Sequence, residues 1–278
     1  MTLNRRDASK AIAVTASGGL LMTQSAFAQE AGASASQTAA LLQGADVCAI
    51  VPEVTEGPYY FDPALERVDI TEGRPGIPLR VRLQVVDAAC RAIGGARVDI
   101  WHCDATGVYS GYANQGDDRS VDTTGETFMR GTQFTDANGI VTFETVYPSW
   151  YSGRTTHIHF KVFIAETTVL TGQIFFPDAL SEYIYLNVAP YNDRARSRDT
   201  LNAGDSIASQ ATRASYAFIK ELDEEYLAAM IIGVDPSAQS SAGMGMGMAP
   251  AAGGPPPDGA GGQAPATADR SAITPAVR

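Results

Sequence analysis

The sequence predicts an all-β sandwich with short helical segments and a long, unstructured-looking tail. Three observations carry that reading. From residue 79 to residue 234 apolar side chains either alternate with polar ones or fall in short runs, the two signatures of half-buried and fully buried strands. Gly, Asp and Pro turn signals separate these runs at roughly the 8–12-residue spacing of a sandwich. Helix-like patterning is confined to Ser34–Leu42 and Asp199–Arg213.

Taken in order, LRVRLQVVD (Leu79–Asp87) alternates cleanly. ARVDIWHCD (Ala96–Asp104) follows and closes on the turn signal Ala105-Thr106-Gly107. ETFMRGTQFT (126–135) leads into Asp136-Ala137-Asn138-Gly139. That is a strong reversal, because Gly139 can adopt the positive φ a hairpin asks for. IVTFETVY (140–147), THIHFKVFIA (156–165) and TVLTGQIFF (168–176) read as the next strands. The last pair, AFIKEL and EYLAAMIIGV around Asp223-Glu224, reads as a hairpin, although the second segment has helix-forming residues as well.

The two ends do not read as fold. Residues 1–28 place Arg5-Arg6 before a weakly apolar Ala/Gly-rich run and the small-residue site Ala26-Phe27-Ala28. This is the order of an export signal, nearer the twin-arginine than the general type, so the expectation is an exported, periplasmic protein. Residues 29–47 are a short extension, 48–234 the domain, and 235–278 a Gly/Ala/Pro/Met-rich tail too poor in large apolar groups to repay its ordering entropy. Its Met-Gly repeat is a weak soft-metal signal. No other stretch approaches the ~20 apolar residues of a membrane span. The formal charge is −11 and becomes −13 without residues 1–28, which carry three basic side chains and one acidic. Such a surface excludes nucleic acid as partner, since that needs a basic face. The cysteines are Cys48, Cys90 and Cys103. In an exported chain they permit one disulfide and leave one thiol, with Cys48–Cys90 the preferred pair.

Chemistry concentrates at THIHFKVF (156–163). The chain has only 3 histidines, and two of them, His157 and His159, sit two apart on this strand. His157, His159 and Lys161 share one face, and Ile158, Phe160 and Val162 the other. Two imidazoles ~7 Å apart along a strand can reach one metal ion, though a pair of solvated edge histidines would look the same. The preceding loop YPSWYSGRT holds Tyr147, Trp150, Tyr151 and Arg154, and GVYSGY holds Tyr109 and Tyr112. Two imidazoles with two phenolates would make a hard N/O shell suited to Fe(III). Physics alone does not choose the tyrosines.

The segments TEGPYY, WHCDATGVYS, RGTQFTDANG, YPSWYSGRTTHIHFKV and LTGQIFFPD, in this order from about Cys48 to Asp178, resemble the intradiol ring-cleavage dioxygenases, of the catechol and protocatechuate type. The resemblance implies a β-sandwich and a non-haem Fe(III) cofactor. It also implies two small-molecule partners, an aromatic diol and O2, joined in a reaction that opens the ring between the hydroxylated carbons to a cis,cis-muconate-type diacid. Transferred by motif, it implies Tyr109, Tyr147, His157 and His159 as iron ligands, with Tyr147 also the catalytic base that leaves the metal, and Tyr151 as the competing second phenolate. Arg154 and Gln173 become the catalytic residues beside the substrate. A non-catalytic iron- or catecholate-binding sandwich is the alternative.

The family's catechol-specific members carry an N-terminal helical dimerisation domain, for which residues 29–47 are too few. A homo-oligomer is left open. A lid over the metal would have to come from Glu56–Phe61 and Asp178–Arg198.

Overall fold

The computed structural model describes residues 49–62, 64–194 and 196–242. The expected export signal, the helix expected over Ser34–Leu42, Cys48 and all of the tail beyond Ala242 lie outside the described residues. Eight strands are described: β1 (Pro78–Asp87), β2 (Arg97–Trp101), β3 (Arg130–Phe134), β4 (Ile140–Val146), β5 (His157–Ile164), β6 (Thr167–Phe175), β7 (Phe218–Glu221) and β8 (Tyr226–Val234). They form two four-stranded sheets, ordered β4-β1-β8-β7 and β3-β2-β5-β6. β1 and β8 pair in parallel, and the other pairs are antiparallel.

The predicted alternation builds the core. Leu79, Val81, Leu83 and Val85 of β1 meet Val98 and Ile100 of β2, Ile158, Phe160 and Val162 of β5, and Ala228, Met230 and Ile232 of β8 in one buried cluster between the sheets. Arg80, Arg82 and Gln84 point away from it and are half-buried. Non-directional burial of this apolar area is the main stabilising term.

The two sheets treat their outer faces differently. In β5 the outward residues His157, His159 and Lys161 are also buried. The segment 54–62 crosses this face and is fastened to it through charge and hydroxyl groups. Lys161 pairs with Glu56 and sets its ammonium 4.0 Å over the Tyr60 ring. The Tyr60 hydroxyl donates to Asp99 at 2.9 Å, and Arg97 bridges Asp99 and Asp62.

Several sequence expectations are refined. The Asp136–Gly139 reversal is present, with Gly139 at φ +74 and the Asp136 carboxylate accepting from the backbone of Asn138 and Ile140. It does not close a hairpin, because β3 and β4 belong to different sheets. EYLAAMIIGV is a strand, claimed by β1 on one side and β7 on the other. Asp199–Arg213 is not helical beyond short 3-10 turns at Ala208–Gln210 and Arg213–Ser215. The Asp205 side chain caps the backbone of Ile207 and Ala208 there, a local alternative to helix. The helix lies earlier: α1 (Asp178–Asn187) starts directly after Pro177, with Asp178 in its first turn, where a carboxylate suits the helix dipole. It buries Ser181, Ile184 and Tyr185, one helical face.

The chain also stays tied to the sandwich past residue 234, as far as Ala242. Ser240 donates its backbone N–H to Thr168, and Glu53 accepts from Ser240, Ser241 and Ala242. Cys90 is disulfide-bonded, and Cys103 is a buried free thiol.

Gly172 of β6 lies opposite Phe160 of β5, and a Cβ added there would sit 2.2 Å from Phe160 Cζ. Gly172→Ala should therefore lower the unfolding free energy by roughly 1–3 kcal/mol, read from urea denaturation. A variant as stable as the parent would show that Phe160 can move aside at no cost.

Candidate metal centre

His157 and His159 open β5, and their rings turn to the same side. Their Nε2 atoms face each other at 3.1 Å. Each ring is held differently. His157 donates Nδ1–H to the Thr155 carbonyl at 2.7 Å, which leaves the Nε2 lone pair free to bind. His159 lies flat on Trp101, centroids 4.9 Å apart and planes 11° from parallel, and its buried Nδ1 has no partner among the described residues. Stacking, not hydrogen bonding, fixes its direction.

Two phenols reach the same point. Tyr109 Oη is 3.5 Å and Tyr151 Oη 3.3 Å from His157 Nε2. Tyr109 comes from the loop after β2. Its backbone N–H donates to Gln115, its carbonyl accepts from Thr123, and its ring stacks on Tyr59 at 4.5 Å. Tyr151 and Arg154 are the first and last residues of a tight turn closed by Arg154 N–H to Tyr151 O at 3.0 Å. Gly153 supplies the positive φ of +82 that this turn requires. The turn ends where β5 begins, so it delivers a phenol and a guanidinium beside both imidazoles. Arg154 Nη1 lies 3.3 Å from Tyr151 Oη and 3.4 Å from His157 Nε2. Its Nη2 donates to Gln173 Oε1, and its Nε to Asp205 at 2.8 Å. Gln173, paired with His159 across β5 and β6, donates its amide to the Thr55 carbonyl at 3.2 Å.

Of the residues singled out in the sequence, Tyr109, His157, His159, Arg154 and Gln173 come together here. Tyr147 does not, and Tyr151 stands in its place. Tyr147 follows the last residue of β4 and points into the core, where its hydroxyl meets Ser181 of α1 at 2.8 Å and its ring packs on Phe176. The tyrosine before proline was the wrong cue. The informative one was Tyr-Ser-Gly-Arg, a turn that puts its first and last residues on one side just before the paired histidines.

Burial sets the protonation of the cluster. It drives both imidazoles well below their ordinary pKa, and the Arg154 charge lowers both further, so both are neutral donors. It pushes the phenols up, Tyr109 well above the usual value and Tyr151 to about 12, with Arg154 pulling Tyr151 back. Among the described residues no group of three or more His, Cys, Asp or Glu side chains forms a metal cluster. The donor set is two neutral nitrogens and two phenol oxygens, which suits a hard trivalent cation able to displace phenolic protons.

The expected lid is half right. Segment 55–61 roofs the centre: Gly57 passes close enough that a Cβ would lie 3.3 Å from His159 Cε1, and Tyr59 covers Tyr109. Helix α1 instead packs on Tyr147. The contribution from beyond β6 comes from residues 199–205, which pair with the Ser152–Thr155 turn. Neither that segment nor the stacking Trp101 carried a spacing signal that the sequence reading could use. Arg130 is the hidden fastener of the roof. Buried to 1% exposure, it donates to the carbonyls of Tyr59 and Ser110 and to Ser110 Oγ, and lies 4.2 Å over the Phe61 ring.

With the geometry in hand, comparison with known proteins is informative. A family model described as "Dioxygenase" matches residues 55–219. The catechol 1,2-dioxygenase of Candida albicans is 33% identical over 101 residues, 30% of this chain and 31% of that one. That of Acinetobacter baylyi is 26% identical over 207 residues, 66% of this chain and 64% of that one. The matched stretch thus spans less than two thirds of either relative. An intradiol ring-cleavage dioxygenase from Tetranychus urticae matches in structure with a TM-score of 0.64 and 35% identity, over 70% of this chain and 98% of that one. The dioxygenase domain of a carbohydrate-binding fusion from Streptomyces sp. SirexAA-E matches with a TM-score of 0.50 and 27% identity, over 67% and 99%. The chain belongs to the intradiol dioxygenase family and has its β-sandwich fold.

Arg130→Met should cost about 2 kcal/mol by stranding the Tyr59 and Ser110 carbonyls without donors. It should also speed amide hydrogen exchange in residues 57–61, measured by mass spectrometry, more than in β1 or β8.

Proposed function

We propose that this protein is an Fe(III)-dependent dioxygenase that opens a catechol-type aromatic diol with O2 to a cis,cis-muconate-type diacid. The observation that carries the reading is the convergence of Tyr109 Oη, Tyr151 Oη and the Nε2 atoms of His157 and His159 on one point, with a guanidinium beside it. These four side chains would hold the metal. Bound there, Fe(III) would act as a Lewis acid that chelates the diol and makes its ring reactive toward O2.

The chain's own groups account for the rest. Tyr151 sits at the half-buried edge of the cluster on a short turn, so its phenolate is the one able to swing aside and take a proton from the incoming diol. Tyr109 is fully enclosed and would stay in place. Arg154 Nη1 points into the cluster and favours negative charge on the bound diol. Gln173 holds Nη2 of that guanidinium and, through Thr55, ties it to the roof. Tyr59 and Gly57 narrow the approach and keep water from the ring. Arg5-Arg6 and the Ala26-Phe27-Ala28 site support an exported, periplasmic enzyme.

The test is spectroscopic. Protein purified aerobically should contain about one iron per chain and show a red-brown tyrosinate-to-iron band. Anaerobic catechol should shift that band to longer wavelength, and O2 should then yield the diacid. Tyr151→Phe should change or abolish the band, whereas Tyr147→Phe should keep it and lose only about 1 kcal/mol of stability with the Ser181 contact. A band that shifts without product would leave an iron and catecholate binder. Protein that stays colourless when iron is supplied would refute the ligand set.

A further inference from the structure

The segment 199–205, between α1 and β7, matches the Ser152–Thr155 turn residue by residue. Asp199 accepts from Ser152 Oγ at 2.7 Å and from the Gly153 N–H at 3.0 Å. Asn202 Oδ1 accepts from Thr155 Oγ1 at 2.9 Å. Asp205, fully enclosed at 0% exposure, does most. Its Oδ2 accepts from Arg154 Nε and from the Thr155 N–H, both at 2.8 Å, and its Oδ1 from the N–H groups of Ile207 at 2.8 Å and Ala208 at 2.9 Å. Each carboxylate oxygen therefore has two donors, one pair from its own segment and one from the turn.

That arrangement fixes two directions at once. Arg154 has its Nε committed to Asp205 and its Nη2 to Gln173, and a planar guanidinium with two of its three nitrogens pinned has one orientation left. The third nitrogen, Nη1, is thereby aimed between Tyr151 Oη and His157 Nε2. The Thr155 peptide, held at its N–H by Asp205, belongs to the residue whose carbonyl accepts from His157 Nδ1. We propose that Asp205 is a positioning residue of the centre, setting both the aim of Arg154 and the Thr155 carbonyl that orients His157. Its effect on turnover rests on the dioxygenase reading above; its effect on Arg154 does not.

Asp205→Asn keeps the shape but replaces one acceptor oxygen with a donor. The amide can then serve only one of the two donor pairs; the Ile207 and Ala208 N–H groups, two and three residues on, keep the remaining oxygen in the local turn, and the Arg154–Thr155 pair is lost. In the iron-loaded full chain this variant should retain iron, bind catechol ~10-fold more weakly in the anaerobic spectral titration, and lose roughly 100-fold in kcat/KM. Arg154→Gln should be impaired to a similar degree, and the double variant should be no worse than Arg154→Gln alone, because residues acting through one another are not additive. Asn202→Ala loosens the same segment without touching Asp205 and should keep both parameters near the parent's. Additive losses, near-parental turnover in Asp205→Asn, or an equal defect in Asn202→Ala would overturn the proposal. Should Asp205→Asn not fold, Arg154→Lys decides: it leaves Asp205 in place and keeps the positive charge but cannot be pinned at two nitrogens, so a loss as large as in Arg154→Gln supports the fixed aim and near-parental turnover overturns it.

Metal-free protein separates this from the functional reading. The Arg154 Nε–H resonance should be protected from exchange in the parent and in Asn202→Ala, and lost in Asp205→Asn. That result upholds the positioning role even if the parent holds no iron and opens no ring. A resonance that survives in Asp205→Asn overturns it whatever the activity.

Discussion

Strand β5 buries both of its faces, and the rest of the structure answers that constraint. One face is ordinary core, Ile158, Phe160 and Val162 against the opposite sheet. The other carries two imidazoles and an ammonium, groups that are costly to take out of water without partners. Everything on the outer side of the second sheet supplies such partners. Glu56 and the Tyr60 ring take Lys161, Trp101 and the Thr155 carbonyl take the imidazole rings, and the segment 54–62 shuts out solvent. A sandwich whose outer faces were both solvated would need none of this. The cover thus serves the polar face of one strand, the face on which the candidate metal centre is built.

How much of this was legible follows from range. Alternation and turn chemistry are local, so the strands could be read, and so could the two histidines that share a face at positions 157 and 159. The choice between Tyr147 and Tyr151 is not local. Both lie in one aromatic loop, and only the end of β4, which sends Tyr147 toward Ser181, and the Gly153 turn, which sends Tyr151 toward the histidines, distinguish them. The Asp136–Gly139 turn shows the same limit. Its residues dictate a reversal, but not whether the emerging strand rejoins its own sheet or crosses to the other. Asp205 was beyond reach altogether, because its partners in the turn, Arg154 and Thr155, lie about 50 residues away and a single aspartate in a polar stretch looks like any other turn residue.

The candidate ligand cluster offers phenols and imidazoles. Many metal centres hold their cation with Asp or Glu, whose protons are already gone at neutral pH. Here the anionic donors would be phenols that burial has pushed up, so they give up their protons only to a strongly polarising cation. That raises selectivity, since a weakly charged ion repays neither the deprotonation nor the desolvation. The neutral imidazoles add affinity without adding charge. A metal held by these four donors would therefore be selected for high charge.

Two arginines, Arg130 buried and Arg154 half-buried, flank the cluster and are kept by opposite means. Among the described residues no carboxylate pairs with Arg130. Carbonyls, a hydroxyl and aromatic faces surround it, and burial lowers its pKa to about 10. That environment suits a structural tie, where hydrogen-bond geometry matters more than charge. Burial also lowers the pKa of Arg154, but Tyr151 and the Asp205 carboxylate hold it above the ordinary value. A guanidinium 3.4 Å from an imidazole nitrogen that is to bind a cation would be repelled from that position unless a counter-charge stood behind it. Asp205 stands on the side of Arg154 bonded through Nε, whereas Nη1 faces the cluster. The positive end is therefore kept against the tyrosine and histidine of the cluster, and its charge is offset on the opposite side.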